Sequence, residues 1–161
     1  MSATITTPAL REGVLFGAVL GVVLILLHWL SGPGAAGEVL LLSLVLTLGV
    51  YLLAGLRAAR FTGNTGAGAL AGLMTALVSS LMGLLVDFAF ILLEQGQLAS
   101  IQSAVNQALQ HAGMSGQVPQ GVLIGAIMLG LLVVLLFSLL VGGLVGALGG
   151  SLGKRQYVTV L

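Results

Sequence analysis

A chain of 161 residues with 58% apolar and only 6% charged side chains has too little charge to wet a soluble surface, because ordinary soluble domains carry about 25% charged residues. The absence of cysteine excludes disulfides, thiolate metal sites and a cysteine nucleophile. Five basic and four acidic residues, a net charge of +1, leave no electrostatic footprint for nucleic acid.

A hydrocarbon core about 30 Å thick is crossed by roughly 20 apolar residues in a helix, and the sequence offers four such stretches. The first, residues 13–30, ends at the breaker Ser31-Gly32-Pro33-Gly34. The second, 39–56, ends at Arg57. The third, 67–93, is interrupted only by Ser79, Ser80 and Asp87. The fourth, 121–150, ends before Lys154-Arg155. None alternates apolar and polar with period two, which excludes a membrane barrel. The first stretch exceeds the ~7–15 apolar residues of a signal-peptide core, so it is expected to be retained as a span, although Arg11 precedes it and Ala35-Ala36 follows.

Arg11, Arg57, Arg60, Lys154 and Arg155 all fall on one side of a four-span topology, with Glu38, Glu94 and His111 on the other. The positive-inside rule then places both termini and the middle turn in the cytoplasm. Arg57, Arg60, Lys154 and Arg155 read as inner-surface anchors, accompanied by the aromatic residues Phe61 and Tyr157. Between spans three and four, Leu98, Ile101, Val105 and Leu109 recur at helical spacing among Gln, Ser and Asn. The pattern predicts an external amphipathic helix over 96–112, bracketed by Gly113 and Gly116. Without charges it does not attract anionic headgroups; its apolar stripe can lie on the outer leaflet, cap the bundle or bind a partner, and a helix resting on its own bundle or the interface is the expectation.

Lipid tails are as apolar as leucine, so membrane helices gain by close approach, and small residues permit it. Gly13, Gly17 and Gly21 form a small-residue row on span one; Gly68, Gly72, Ala76 and Ser80 form one on span three; Gly142, Gly146 and Gly150 form one on span four. All lie in the half expected to be cytoplasmic, so these zipper-like stripes predict a bundle tightest there. Gly13, Gly17, Gly21 and His28 also align without gaps on Gly72, Ala76, Ser80 and Asp87. The ends of spans two and four match as well, Leu53-Ala54-Gly55 with Leu148-Gly149-Gly150. Two hairpins related by a parallel repeat are the expectation from this match.

Asp87 is the one carboxylate well inside a span, where a charge at the centre costs roughly 2.5–3.5 kcal/mol on insertion scales. It is expected to face inward on the face of Ser80 and Ala76. His28 shares the glycine face of span one, and if the glycine faces of spans one and three meet, His28 and Asp87 approach near the external side. Ser43 and Thr47 lie at comparable depth on span two. Asp87, His28, Ser43 and Thr47 thus form a candidate intramembrane polar site, read either as a proton- or cation-sensitive cluster or as a polar contact that orients helices. No HExxH, GxSxG, P-loop or paired-carboxylate spacing is present. Gly63-Asn64-Thr65-Gly66 is explained by a helix N-cap at Asn64 or Thr65. Neither a metal site nor a cofactor is implied.

The run Gly49-Val50-Tyr51-Leu52-Leu53-Ala54-Gly55, then Arg57-Ala58-Ala59-Arg60, Thr62-Gly63 and Gly66-Ala67-Gly68-Ala69-Leu70-Ala71-Gly72-Leu73, resembles a pattern in small uncharacterised four-span prokaryotic membrane proteins. There a span ending in small residues and a short basic turn leads into a Gly/Ala-rich helix start. The resemblance covers about a fifth of the chain; it implies a four-helix fold and a prokaryotic inner membrane, and brings no catalytic residue with it. The sequence therefore predicts an all-α, single-domain, four-span bundle whose partner is the lipid bilayer. Its expected role is non-enzymatic, as an accessory subunit or self-associating scaffold within a homo-oligomer or larger membrane complex. The alternative is a small oligomeric transporter or channel with a His/Asp site at its external mouth.

Overall fold

A computed structural model describes residues 3–30, 36–93, 95–113 and 118–158, with side chains for all of these except 3–7, 36, 87, 90–93, 95–98 and 156–158. The Ser31–Gly34 breaker, Ala35, Glu94 and Gly116, and the side chains of Ala36, Asp87, Leu98 and Tyr157, lie outside the described residues. Five α-helices follow one another: α1 (Ala3–Leu30), α2 (Ala36–Thr62), α3 (Thr65–Leu93), α4 (Gln95–His111) and α5 (Gln120–Val158). Four of them are long and apolar enough to cross a membrane, over Pro8–Leu30, Gly37–Thr62, Thr65–Val86 and Gln120–Arg155. The chain is in this sense a helical protein of the multi-pass membrane kind.

The helices overrun the apolar stretches that announce them. α1 begins ten residues before Gly13, α2 continues past Arg57 and Arg60, and α5 continues past Lys154 and Arg155. Apolarity marks where hydrocarbon begins, whereas the helix persists as long as good helix formers such as Ala, Leu, Arg and Lys follow. The chain divides into two compact units, Met1–Gly83 with Leu135–Leu161, and Leu84–Val134.

In the first unit, α2 and α3 are joined by the two-residue turn Gly63–Asn64. Gly63 takes a left-handed φ of 66°, a conformation that costs glycine nothing, and its N–H donates to the Ala59 carbonyl at 2.7 Å. The Asn64 carboxamide oxygen accepts from the Gly66 N–H at 2.8 Å, which caps α3. Ala9, Ala54, Ala58, Ala67 and Ala71 form a buried cluster under Phe16 and Leu70. Leu20, Tyr51 and Ala76 form a second, flanked by Leu24, Val50, Leu139, Val141 and Val145.

Alanine clusters of this kind require close helix axes, and the glycines provide them. α2, α3 and α5 meet backbone to backbone where Gly55, Gly68 and Gly146 converge: a β-carbon on Gly55 would run into the Gly146 carbonyl oxygen, and one on Gly68 would lie 2.8 Å from that oxygen and 2.9 Å from the Gly55 carbonyl. Further along the same seam Gly72 faces Gly142, and Gly150 packs on Thr65 and Gly68. Gly149 and Gly153 of α5 meet the backbone of α2 at Leu52 and Leu56.

The pairing of faces differs from the expectation. Gly13, Gly17 and Gly21 of α1 seat on Ala71, Met74, Thr75, Val78 and Met82 of α3, while the Gly68–Gly72–Ala76 row of α3 faces α5. The glycine faces of α1 and α3 therefore do not meet. Positions that align in sequence, Gly13 with Gly72 and Gly17 with Ala76, look onto different neighbours, and the packing does not repeat where the sequence does. One helix cannot present the same face to two partners, and the backbone-deep contact with α5 takes the glycine row of α3.

In the second unit, α4 ends with a left-handed Gly113, φ 75°. Two side chains one turn apart on α4 hold the strand of chain that follows: Gln102 Nε2 donates to the Val118 carbonyl at 3.1 Å and Asn106 Oδ1 accepts from the Val118 N–H at 3.2 Å. Ile101, Val105 and Leu109 on the apolar stripe are half-buried.

At Gly146 a β-carbon would lie 2.6 Å from the Gly68 carbonyl oxygen and 2.8 Å from Gly72 Cα, with only backbone to yield. Gly146→Ala is therefore expected to lose about 1–3 kcal/mol of stability, the usual cost of overpacking. Gly49→Ala, on the open side of α2 with nothing within 4 Å, is expected to stay within about 1 kcal/mol of the parent. Reversible unfolding in mixed micelles measures both.

Candidate functional site

The first unit holds two polar features, and both begin on one face of α2. Ser43, Thr47 and Tyr51 are spaced four apart and so share that face. Ser43 and Thr47 line an open cleft of about 410 Å³ between α1 and α2. His28 is the third polar residue on the cleft, and its walls are Leu24, Leu27, Val39, Leu40 and Leu44. The structure thus gathers three members of the candidate polar site into one space.

They are not equivalent. The Ser43 hydroxyl donates to the Leu40 carbonyl of its own helix at 2.8 Å. Among the described residues, neither the Thr47 hydroxyl nor the exposed His28 imidazole has a hydrogen-bond partner. Thr62 and Thr75 elsewhere in the bundle turn back to the carbonyl four residues earlier, at 2.9 and 2.8 Å. Asp87 lies on α3 with its side chain outside the described residues, and the face-to-face meeting of glycine rows that motivated its pairing with His28 does not occur.

One turn below Thr47, the second feature was not evident from composition. Tyr51 is 2% exposed, and its hydroxyl lies 3.0 Å from Ser138 Oγ of α5. Ser80 of α3 donates to the same oxygen at 3.0 Å. Ser138 thus joins three helices, and with one proton and two lone pairs it is chemically able to do so. Tyr51 and Ser138 lie within about 2 Å of the middle of the candidate spans Gly37–Thr62 and Gln120–Arg155, a depth at which, in an inserted helix, a polar group must find its partner in the protein. A signal did exist: Ser138 is the one polar residue between Gln120 and Ser151. Thr75 and Ser79, also buried, bond to Ala71 and Ala76 of their own helix.

At the basic end, Arg57 Nε lies 3.4 Å from Glu12 Oε2 and ties α2 to α1, their side chains 58% and 14% exposed. Arg57, expected as an anchor at the membrane surface, is therefore also an interhelical partner, in a contact worth less than about 1 kcal/mol at such exposure. Arg60, Lys154 and Arg155 are exposed. No protein-family model, curated protein or solved structure matches the chain.

Because Ser138 bridges the other two hydroxyls, their contributions are expected to be coupled. Tyr51→Phe should cost about 0.5–1.5 kcal/mol. A double-mutant cycle with Ser80→Ala should give an interaction energy of about 0.5 kcal/mol or more, whereas Thr62→Val, outside this network, should be additive with Tyr51→Phe.

Proposed function

We propose that this chain is a non-enzymatic multi-pass protein of a prokaryotic inner membrane, with both termini and the α2–α3 turn in the cytoplasm, that serves as an accessory subunit or self-associating scaffold. The observation that carries the reading is the closure of α2, α3 and α5 at Gly55, Gly68 and Gly146. Helices in backbone contact at that point leave no room for a solute to pass between them. The opposite face of α5 in the same unit is a row of leucines, Leu136, Leu140, Leu144, Leu148 and Leu152, each about half or more exposed. Such a face is satisfied by lipid or by the helix of a second subunit. The resemblance to small four-span prokaryotic proteins and the clustering of basic residues support the membrane and the orientation.

A second reading, a small oligomeric transporter or channel with an external-side site, draws support from the cleft that gathers His28, Ser43 and Thr47. The two separate in proteoliposomes. The scaffold reading expects no ion or proton flux from the parent or from Asp87→Asn; a pH-dependent flux abolished by Asp87→Asn establishes the transporter instead. Copurification at fixed stoichiometry, or self-association measured in nanodiscs, is expected for the scaffold. The cysteine-free chain also permits a direct topology test. Asn64→Cys is expected to react with an impermeant maleimide only after permeabilisation, and Gln107→Cys in intact cells.

A further inference from the structure

The open cleft between α1 and α2, lined by aliphatic side chains and by His28, Ser43 and Thr47, has a volume of about 410 Å³, within the range of roughly 300–1,000 Å³ typical of small-molecule sites. We propose that it binds a neutral, lipid-soluble carbonyl compound of the isoprenoid quinone class, whose ring oxygens accept hydrogen bonds from Thr47 Oγ1 and the His28 imidazole. The proposal goes beyond the accessory-subunit reading and does not depend on it.

The first argument is the unpartnered donor. A hydroxyl facing hydrocarbon costs free energy unless it is bonded, and Thr62 and Thr75 avoid that cost through their own helix. Thr47 lines a space large enough for a molecule, and among the described residues neither its hydroxyl nor the His28 imidazole on the same space has a partner.

The second argument is charge. Among the described residues no Lys, Arg, Asp or Glu lines the cleft, and five of its eight described lining residues are aliphatic. A phosphate or carboxylate seated there would lack a counter-charge, so the occupant is neutral, with an apolar tail for the leucine walls.

The third argument is depth. Thr47 lies within about 4 Å of the middle of the Gly37–Thr62 span. The ester carbonyls of glycerolipids are held at the edge of a hydrocarbon core about 30 Å thick, roughly 15 Å from the midplane, and do not reach it. A carbonyl compound without a charged headgroup enters the core freely. At Thr47 this separates a quinone from the bulk lipid that surrounds every membrane helix; His28, about 14 Å from the middle of the Pro8–Leu30 span, lies higher than Thr47 and level with the ester carbonyls, so the discrimination rests on Thr47. The inference concerns binding alone and includes no redox step.

Trp29, the single tryptophan, follows His28 directly and reports on the cleft. The test is quenching of its fluorescence by decylubiquinone in nanodiscs of neutral lipid, with the full chain. The expected result is a saturable component above linear partitioning. Thr47→Val should weaken its apparent Kd about five- to tenfold, the value of one hydrogen bond. Leu44→Phe, which fills the cleft, should remove the component, and Thr62→Val should leave it unchanged. Strictly linear quenching of the parent overturns the proposal. So does an unchanged Kd in Thr47→Val, whatever Leu44→Phe does. Equal saturation by 1-bromododecane, a tail without a carbonyl, overturns the hydrogen-bonded recognition.

Discussion

The contact on which the first unit depends is one that any side chain would prevent: the backbone of one helix directly against the backbone of another. In water, burying leucine and valine brings helices together and their bulk sets the spacing. In lipid that drive vanishes, because a leucine exchanges one hydrocarbon neighbour for another. What remains is dispersion between well-fitted surfaces and short-range polar attraction, both of which fall steeply with separation. Deleting the side chain at Gly55, Gly68 and Gly146 brings three backbones close enough for these weak forces to add. The buried alanines around the seam are the complement of the same solution, small enough to follow the helices inward.

Polar side chains then act as a second adhesive, placed where the first has already removed lipid. Tyr51, Ser80 and Ser138 meet near the middle of the spans, and their value lies as much in direction as in strength. A glycine seam tolerates sliding, because one small residue resembles the next. A hydroxyl bonded across helices does not, since a shift of one turn leaves it unsatisfied in hydrocarbon. Close approach and register are thus supplied by different residues.

The sequence carries some of this plainly and hides the rest. Apolar run length announces the four long helices, and Gln-rich amphipathicity announces α4 to within a residue at each end. The small-residue rows on spans one, three and four mark where neighbours come near. What a row cannot state is which neighbour. α1 sets its glycines on Ala71, Thr75 and Val78, not on the glycine row of α3, because any flat surface receives a flat surface, and rotation about the helix axis is fixed by all contacts together. The cleft was partly legible, as His28, Ser43 and Thr47 were marked by being polar in an apolar context. The grouping of these three follows from the α1–α2 hairpin, which spacing along one chain does not reveal.

The backbone seam also has a consequence for biosynthesis. Gly55 and Gly68 flank the α2–α3 turn and emerge together, but the surface that packs on both belongs to α5, which follows them by about 50 residues or more. Early helices can enter the bilayer singly, held by their own internal bonds, yet the groove they form stays occupied by lipid until α5 arrives. The seam therefore closes only once α5 has been made, and a nascent chain that stalls before α5 displays a bare, narrow groove that marks it as unfinished.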